Sequence, residues 1–260
     1  MIIRTAEQRA ILLEAGKRLG EVLDACVALV RPGLPVKDLD TLAEKLIREG
    51  GDIPCFLNYT PDGARRPYPA TLCVSVNEEV VHGIPTESSR ILAEGDIVSL
   101  DLGLTHKGIV VDSAVTVPVG KTDKNSYALM DSVRMSLEAG IAAAKVGGRI
   151  GDIEHATGEA FEGTGFSVVE VLGGHGVGDK VHEEPFIANA GHRGTGEELV
   201  EGMVLALEPI ANAGKAGVRM APDGYTYLTK DGSRSAHFEH TILIEKGGVT
   251  VVTRRASEKV

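Results

Sequence analysis

An internal repeat runs through this sequence, and a chain built twice on one plan must pack its halves around a shared core. Leu23 and Leu137, Gly33 and Gly147, Asp38 and Asp152, Leu39 and Ile153, and Gly51 and Gly165 are each 114 residues apart. Further on, Glu94-Gly95-Asp96-Ile97-Val98-Ser99-Leu100-Asp101 parallels Glu201-Gly202-Met203-Val204-Leu205-Ala206-Leu207-Glu208 at an offset of 107. Both copies of the second match end in a carboxylate on an apolar, strand-like run.

Around these anchors the apolar spacing predicts four helices. The first covers 6–30, with Leu12, Ala15, Leu19, Val22, Leu23 and Cys26 on one face. Arg31-Pro32-Gly33 stops it. Asp38 is expected to N-cap the second, which ends at Gly50-Gly51. Residues 126–162 read the same way, with a helix to Gly147-Gly148 and another opened by Asp152. Strands are expected at 94–101, 110–117, 201–208 and 238–244. Two helix-helix-strand halves, about 6–120 and 125–252, then share one mostly antiparallel sheet in a single α+β domain spanning 1–260.

Composition narrows the function. The 260 residues carry 27 Lys and Arg against 37 Asp and Glu, a net charge of −10, which argues against nucleic acid as substrate and against an anionic membrane surface. No run reaches the roughly 18 apolar residues of a membrane helix, and the N-terminus has no signal-peptide pattern. Three cysteines (Cys26, Cys55, Cys73), none in CxxC, fit a reducing cytoplasm.

Four acids stand out: Asp101, Asp112, Glu208 and Glu239. Strand alternation places each on a sheet face within segments that read as buried. A buried carboxylate without a partner is costly, and Lys and Arg are scarce in these segments, so divalent cations are the natural partner. Histidine is the second signal. His175 lies among four glycines in 173–178, His182 follows seven residues later, and His82 sits in Val80-Val81-His82-Gly83-Ile84-Pro85. All three read as loop residues beside a catalytic cleft. His237 is expected behind the acids, whereas His106, His155, His192 and His240 read as structural or surface residues. There is no HExxH, P-loop or GxSxG, and the glycines at 173–178 lack the βαβ surroundings of a dinucleotide site.

The ordered set VNEEVVHGIP (76–85), VSLDLG (98–103), the Asp112 strand, GGHGVG-x3-HEEP (173–185), GMVLALEP (202–209) and SAHFEHT (235–241) resembles the type I methionine aminopeptidases over about residues 5–252. The resemblance implies a pita-bread fold and removal of N-terminal methionine by water activated at a dinuclear metal centre. It implies that Asp101, Asp112, His175, Glu208 and Glu239 hold two divalent ions (Co, Mn, Fe(II) or Zn), with Asp112 and Glu239 bridging. Glu208 would shuttle the proton, and His82 and His182 would bind the substrate backbone. Phe56, Tyr59, Tyr68, Cys73, Val181 and Tyr225 would line the methionine pocket. The chain departs from the family pattern in a longer 58–68 loop and in Tyr225, where many relatives have Trp. Nascent polypeptide N-termini, met near the ribosome exit, are the implied partners, with a monomer as the expected state. A proline-directed aminopeptidase of the same fold is the nearest rival, and a metal-free binding module the more distant one.

Overall fold

The computed structural model describes residues 1–258. The chain opens with helices α1 (Ala6–Leu29) and α2 (Val36–Glu49), then strands β1 (Ile53–Pro54), β2 (Leu72–Val76), β3 (Glu79–Val81), β4 (Ile97–His106) and β5 (Ile109–Pro118). A second helix pair follows, α3 (Lys124–Ala143) and α4 (Ile150–Glu159). After it come β6 (Ser167–Val168), β7 (Gly173–Gly176), β8 (Glu183–Ala188), β9 (Val204–Leu207) and β10 (Ile210–Asn212). The chain finishes through β11 (Val218–Met220), β12 (Tyr227–Thr229), β13 (Ser235–His237), β14 (His240–Glu245) and β15 (Gly248–Val251).

Thr5 starts α1 through a capping box with Gln8, and the helix then buries Leu12, Ala15, Leu19, Leu23 and Cys26 against β4 and β5. Each leucine fully withdrawn from water there contributes about 2 kcal/mol. The repeat is physical as well as textual. Gly33 and Gly147 have φ of 85° and 80°, Gly51 and Gly165 have 79° and 81°, and Gly95 and Gly202 have 92° and 89°. Left-handed backbone therefore recurs at matched positions in the two halves.

Two expectations change. Asp38 and Asp152 are not N-caps but third residues of their helices, behind Pro35 and Arg149. Asp152 reaches back to accept the Arg149 N–H at 2.8 Å. Acids are favoured throughout a first turn by its unpaired N–H groups, so the sequence signal was one turn wide. The long 126–162 stripe also breaks earlier than expected, at Ala144.

β4 pairs with β5 along its whole length and with β1 and β2 on its other edge, while β9 and β14 lie within the five-stranded sheet β15-β14-β9-β7-β8. These two sheets meet along β5. Glu239 N–H donates to the Ala114 carbonyl at 2.9 Å, and Ala114 N–H returns a bond at 3.3 Å. On one side the Thr241 hydroxyl accepts from Asp112 N–H at 3.0 Å and donates to the Asp112 carbonyl at 2.8 Å. On the other, the Thr116 hydroxyl makes the same pair of bonds with His237, both at 2.8 Å. Two threonine side chains thus stand in for ladder bonds where the halves join.

Candidate metal centre and the cavity around it

The β4–β5 register pairs Gly103 with Asp112 and Asp101 with Ala114, so both aspartates share one face as diagonal neighbours. The expectation of sheet-face acids is met for this pair and corrected for the other. Glu208 lies between β9 and β10, and Glu239 between β13 and β14. Pro209 has no N–H to donate and ends the ladder after Glu208. At Glu239 the backbone leaves β10 and bonds β5 instead.

His175 is a correction of another kind. It lies inside β7, not in a loop, and β7 runs between β8 and β9. A Cβ on Gly174 would sit 2.2 Å from the Ala206 carbonyl oxygen, and one on Gly176 would sit 2.3 Å from that of Glu184. The glycines serve close strand approach and not freedom of the ring. Gly174→Ala is therefore expected to push β7 off β9 and cost about 2–3 kcal/mol, read as a thermal midpoint lowered by roughly 4–12 °C. An unchanged midpoint would show that the strand contact is slack.

Ligand atoms of Asp112, His175 and Glu239 lie within 4.8 Å of one another, all buried. Glu208 Oε1 is 3.6 Å from His175 Nε2, and its other oxygen is 3.3 Å from His237 Nε2. His175 Nδ1 lies 2.9 Å from the Gly176 carbonyl, which requires the proton on Nδ1 and leaves the Nε2 lone pair facing the acids. Among the described residues, Asp101, Asp112 and Glu239 each keep a buried oxygen without a hydrogen-bond partner.

Burial and mutual repulsion act on the whole group. Burial, then the charges of Asp112 and Glu208, holds Asp101 well above the usual carboxylate range, and Glu239 is raised for the same reasons. Asp112 and Glu208 are pushed up to about 8, in each case chiefly by burial. The imidazoles are forced neutral and cannot compensate: His175 and His237 fall to about 3 and His82 to about 4, again mainly through burial. Among the described residues, no Lys or Arg lines the cavity. Buried carboxylates, orphaned oxygens and one imidazole lone pair form an oxygen-rich donor set suited to divalent cations. The neighbouring thiols of Cys55 and Cys73 are pushed up by burial and stay protonated, so thiolate ligation is not part of it.

One cavity gathers twelve of the thirteen site residues expected from sequence. The five metal-ligand candidates line it with His82 and His182, and Phe56, Tyr59, Tyr68, Cys73 and Tyr225 form its apolar part. Val181 is the exception: it is buried in the hydrophobic core and does not line the cavity. Pro61, which sequence reasoning missed, does line it, through the same loop as Tyr59. His182 Nδ1 lies 3.0 Å from the Tyr59 hydroxyl, and its ring meets that of His175 at 4.5 Å. His82 adopts a left-handed φ of 58°, and its ring packs on Tyr227. His237, expected on the face of Glu239, has its Nε2 3.3 Å from the Glu208 carboxylate. Tyr68 and Tyr225 stack edge to face at 5.2 Å, and the Tyr68 hydroxyl donates to the Gly83 carbonyl at 2.8 Å.

A buried site of acids and neutral imidazoles beside an apolar pocket is that of a metal-dependent hydrolase. The sequence profile of metallopeptidase family M24 matches residues 10–246. Methionine aminopeptidase 1 of Bacillus subtilis (strain 168) is 41% identical over 254 residues, covering 98% of this chain and 99% of that protein. The crystal structure of methionine aminopeptidase from Thermotoga maritima superposes with a TM-score of 0.92 at 41% identity, covering 98% of this chain and 100% of that one. Prolidase from Pyrococcus furiosus shares the fold at a TM-score of 0.74 and 21% identity, and the chain covers 66% of it. The chain belongs to metallopeptidase family M24, among its methionine aminopeptidases, with their pita-bread architecture.

Proposed function

We propose that this chain removes the N-terminal methionine from polypeptides whose second residue is small, acting as one catalytic domain with two divalent ions. The observation that carries the reading is the shared cavity, where orphaned carboxylate oxygens face the apolar walls of Phe56, Tyr59, Tyr68, Cys73 and Tyr225. Asp101, Asp112, His175, Glu208 and Glu239 would hold the ions. Four carboxylates balance two dications, which makes burying both charges tolerable. Ions bound there supply Lewis acidity and a water acidified to near neutrality.

The protein's own groups do the rest. The apolar walls take the methionine side chain and exclude water from it. Glu208, facing the scissile bond beside His175, would take up a proton and return it to the leaving amine. His82 and His182, neutral by burial, hold the substrate backbone at the scissile carbonyl. Tyr59 keeps His182 in place through its hydroxyl.

Nascent chains in the cytoplasm, reached near the ribosome exit by a monomeric enzyme, are the proposed substrates. Mn, Fe(II), Co and Zn are the candidate ions. With each of these metals, Met-Ala-Ser is expected to be cleaved about 100-fold or more faster than Xaa-Pro peptides, on the scale by which one pocket discriminates. Preferential cleavage of Xaa-Pro would overturn the reading in favour of a proline-directed peptidase, whose fold the prolidase similarity already shows to be shared.

A further inference from the structure

We propose that a groove outside the catalytic cavity, between the 61–66 loop and the 220–224 turn, receives the third to fifth residues of the substrate and favours apolar side chains there. This rests on the function proposed above and extends it along the peptide. The cavity has room for a first side chain and the scissile bond, so the rest of a polypeptide must leave through an opening. Two grooves adjoin the cavity: the first shares His82, His175, His182 and Glu208 with it, and the second shares Pro61, His82 and Tyr225.

The first runs past His182 along Lys180, Glu183 and Glu184. Part of its wall is already engaged: Glu183 accepts the N–H groups of Asp179 and Lys180 and pairs with the Met1 amine. The second leaves past His82 and Tyr225 and runs over Tyr227, between Ala64 on one side and Met220 and Pro222 on the other. Asp62, Arg65, Arg66 and Asp223 also line it, with Arg66 already paired, and Leu172 is common to both grooves. Its walls are fixed before any ligand arrives. The 58–68 loop is closed at its neck by Asn58 N–H to the Tyr68 carbonyl and by Tyr68 N–H to the Tyr59 carbonyl, both at 2.8 Å. Arg66 then ties the loop to Glu87 and, at 3.2 Å, to the Asp223 carbonyl, while the Tyr225 hydroxyl donates to the Arg66 carbonyl.

A preformed groove spends little ordering entropy on binding. It also explains why Met220, at 51% exposure, is left on the surface beside other apolar groups. The longer 58–68 loop, the chain's main departure from the family pattern, is what builds one wall. An extended peptide advances about 3.3 Å per residue, so the residues after the second lie along this floor.

The test compares kcat/KM for Met-Ala-Leu-Gly and Met-Ala-Asp-Gly in the metal-loaded wild type, Met220→Glu and Val171→Glu. Val171 lines only the other groove. The wild type is expected to prefer the leucine peptide about 5-fold, mostly through KM, as for a small apolar contact. Met220→Glu brings that ratio to about one, while Val171→Glu leaves it in place. Matching thermal midpoints confirm that the exposed substitutions leave the fold intact. A wild-type ratio near one, or a ratio moved by Val171→Glu and not by Met220→Glu, overturns the groove alone. Failure of the wild type to cleave either peptide overturns the function on which the groove rests.

Discussion

Asp112→Asn is expected to abolish peptide hydrolysis while making the metal-free protein harder to unfold. Activity should fall by about 10³-fold or more, the scale of losing one preorganised charge in a dry site, and bound metal should fall with it. Stability should move the other way. Asp112 is 3% exposed, keeps an unpartnered oxygen and adds its charge to the burden on Asp101 and Glu239. Above pH 8, where the Asp112 carboxyl of the metal-free protein ionises, replacing this buried, unbalanced charge by a neutral group of the same shape stabilises by about 1 kcal/mol or more, or roughly 2–4 °C in midpoint at this length. Elemental analysis, a Met-Ala-Ser assay and calorimetry of the metal-free variant read the three effects. Full metal content with retained activity would remove Asp112 from the centre.

The metal-free protein is expected to lose stability between pH 6.5 and 8.5, and bound divalent ions to restore it. The raised carboxyls of Asp112 and Glu208 stabilise the folded state while protonated, fully so below their ordinary values of 3.8 and 4.5. That contribution is lost as the pH climbs through about 8. The depressed imidazoles act oppositely. His82, His175 and His237 favour the fold above 6.5 and lose that contribution as the pH falls towards 4 and 3. The two sets oppose each other below 6.5, and above it only the carboxyls titrate. Ions at a hundredfold excess over their dissociation constant add about 2.7 kcal/mol per site and displace protons as they bind. Thermal midpoints in chelator and in Mn²⁺ across this range test the slope. A metal-free midpoint that is flat or rises from pH 6.5 to 8.5 would contradict the electrostatics described above.

The helix pairs were legible because their apolar spacing and left-handed glycines are local signals, and the repeat made each half a check on the other. The hairpin carrying Asp101 and Asp112 was legible for the same reason: strict alternation along two strands puts both acids on one face. Glu208 and Glu239 were recognised as acids of the site but given the wrong backbone. Pro209 was a visible reason to end β9, whereas the exchange of partners at Glu239 depends on Ala114, far away in sequence. Reading His175 as a loop residue took glycine as a sign of freedom where its use is tight strand packing. The cavity wall at Tyr225 is held by its hydroxyl bond to the Arg66 carbonyl, a contact across 159 residues that no local pattern encodes.

The threonine hydroxyls at the junction of the halves have a mechanical consequence. Along β5 the hydroxyls of Ser113, Thr116 and Thr241 and one direct backbone pair take the place of a continuous ladder, and the five candidate ligand side chains straddle this joint. Asp101 and Asp112 come from the first half; His175, Glu208 and Glu239 come from the second. Divalent ions held by these candidates would grip both halves, adding to the β3–β12 pairing and the covalent connection at 119–123. The tightness of such a centre and the stiffness of the joint would then be linked, and a change at Thr116 or Thr241 is expected to alter ion affinity without touching a candidate ligand.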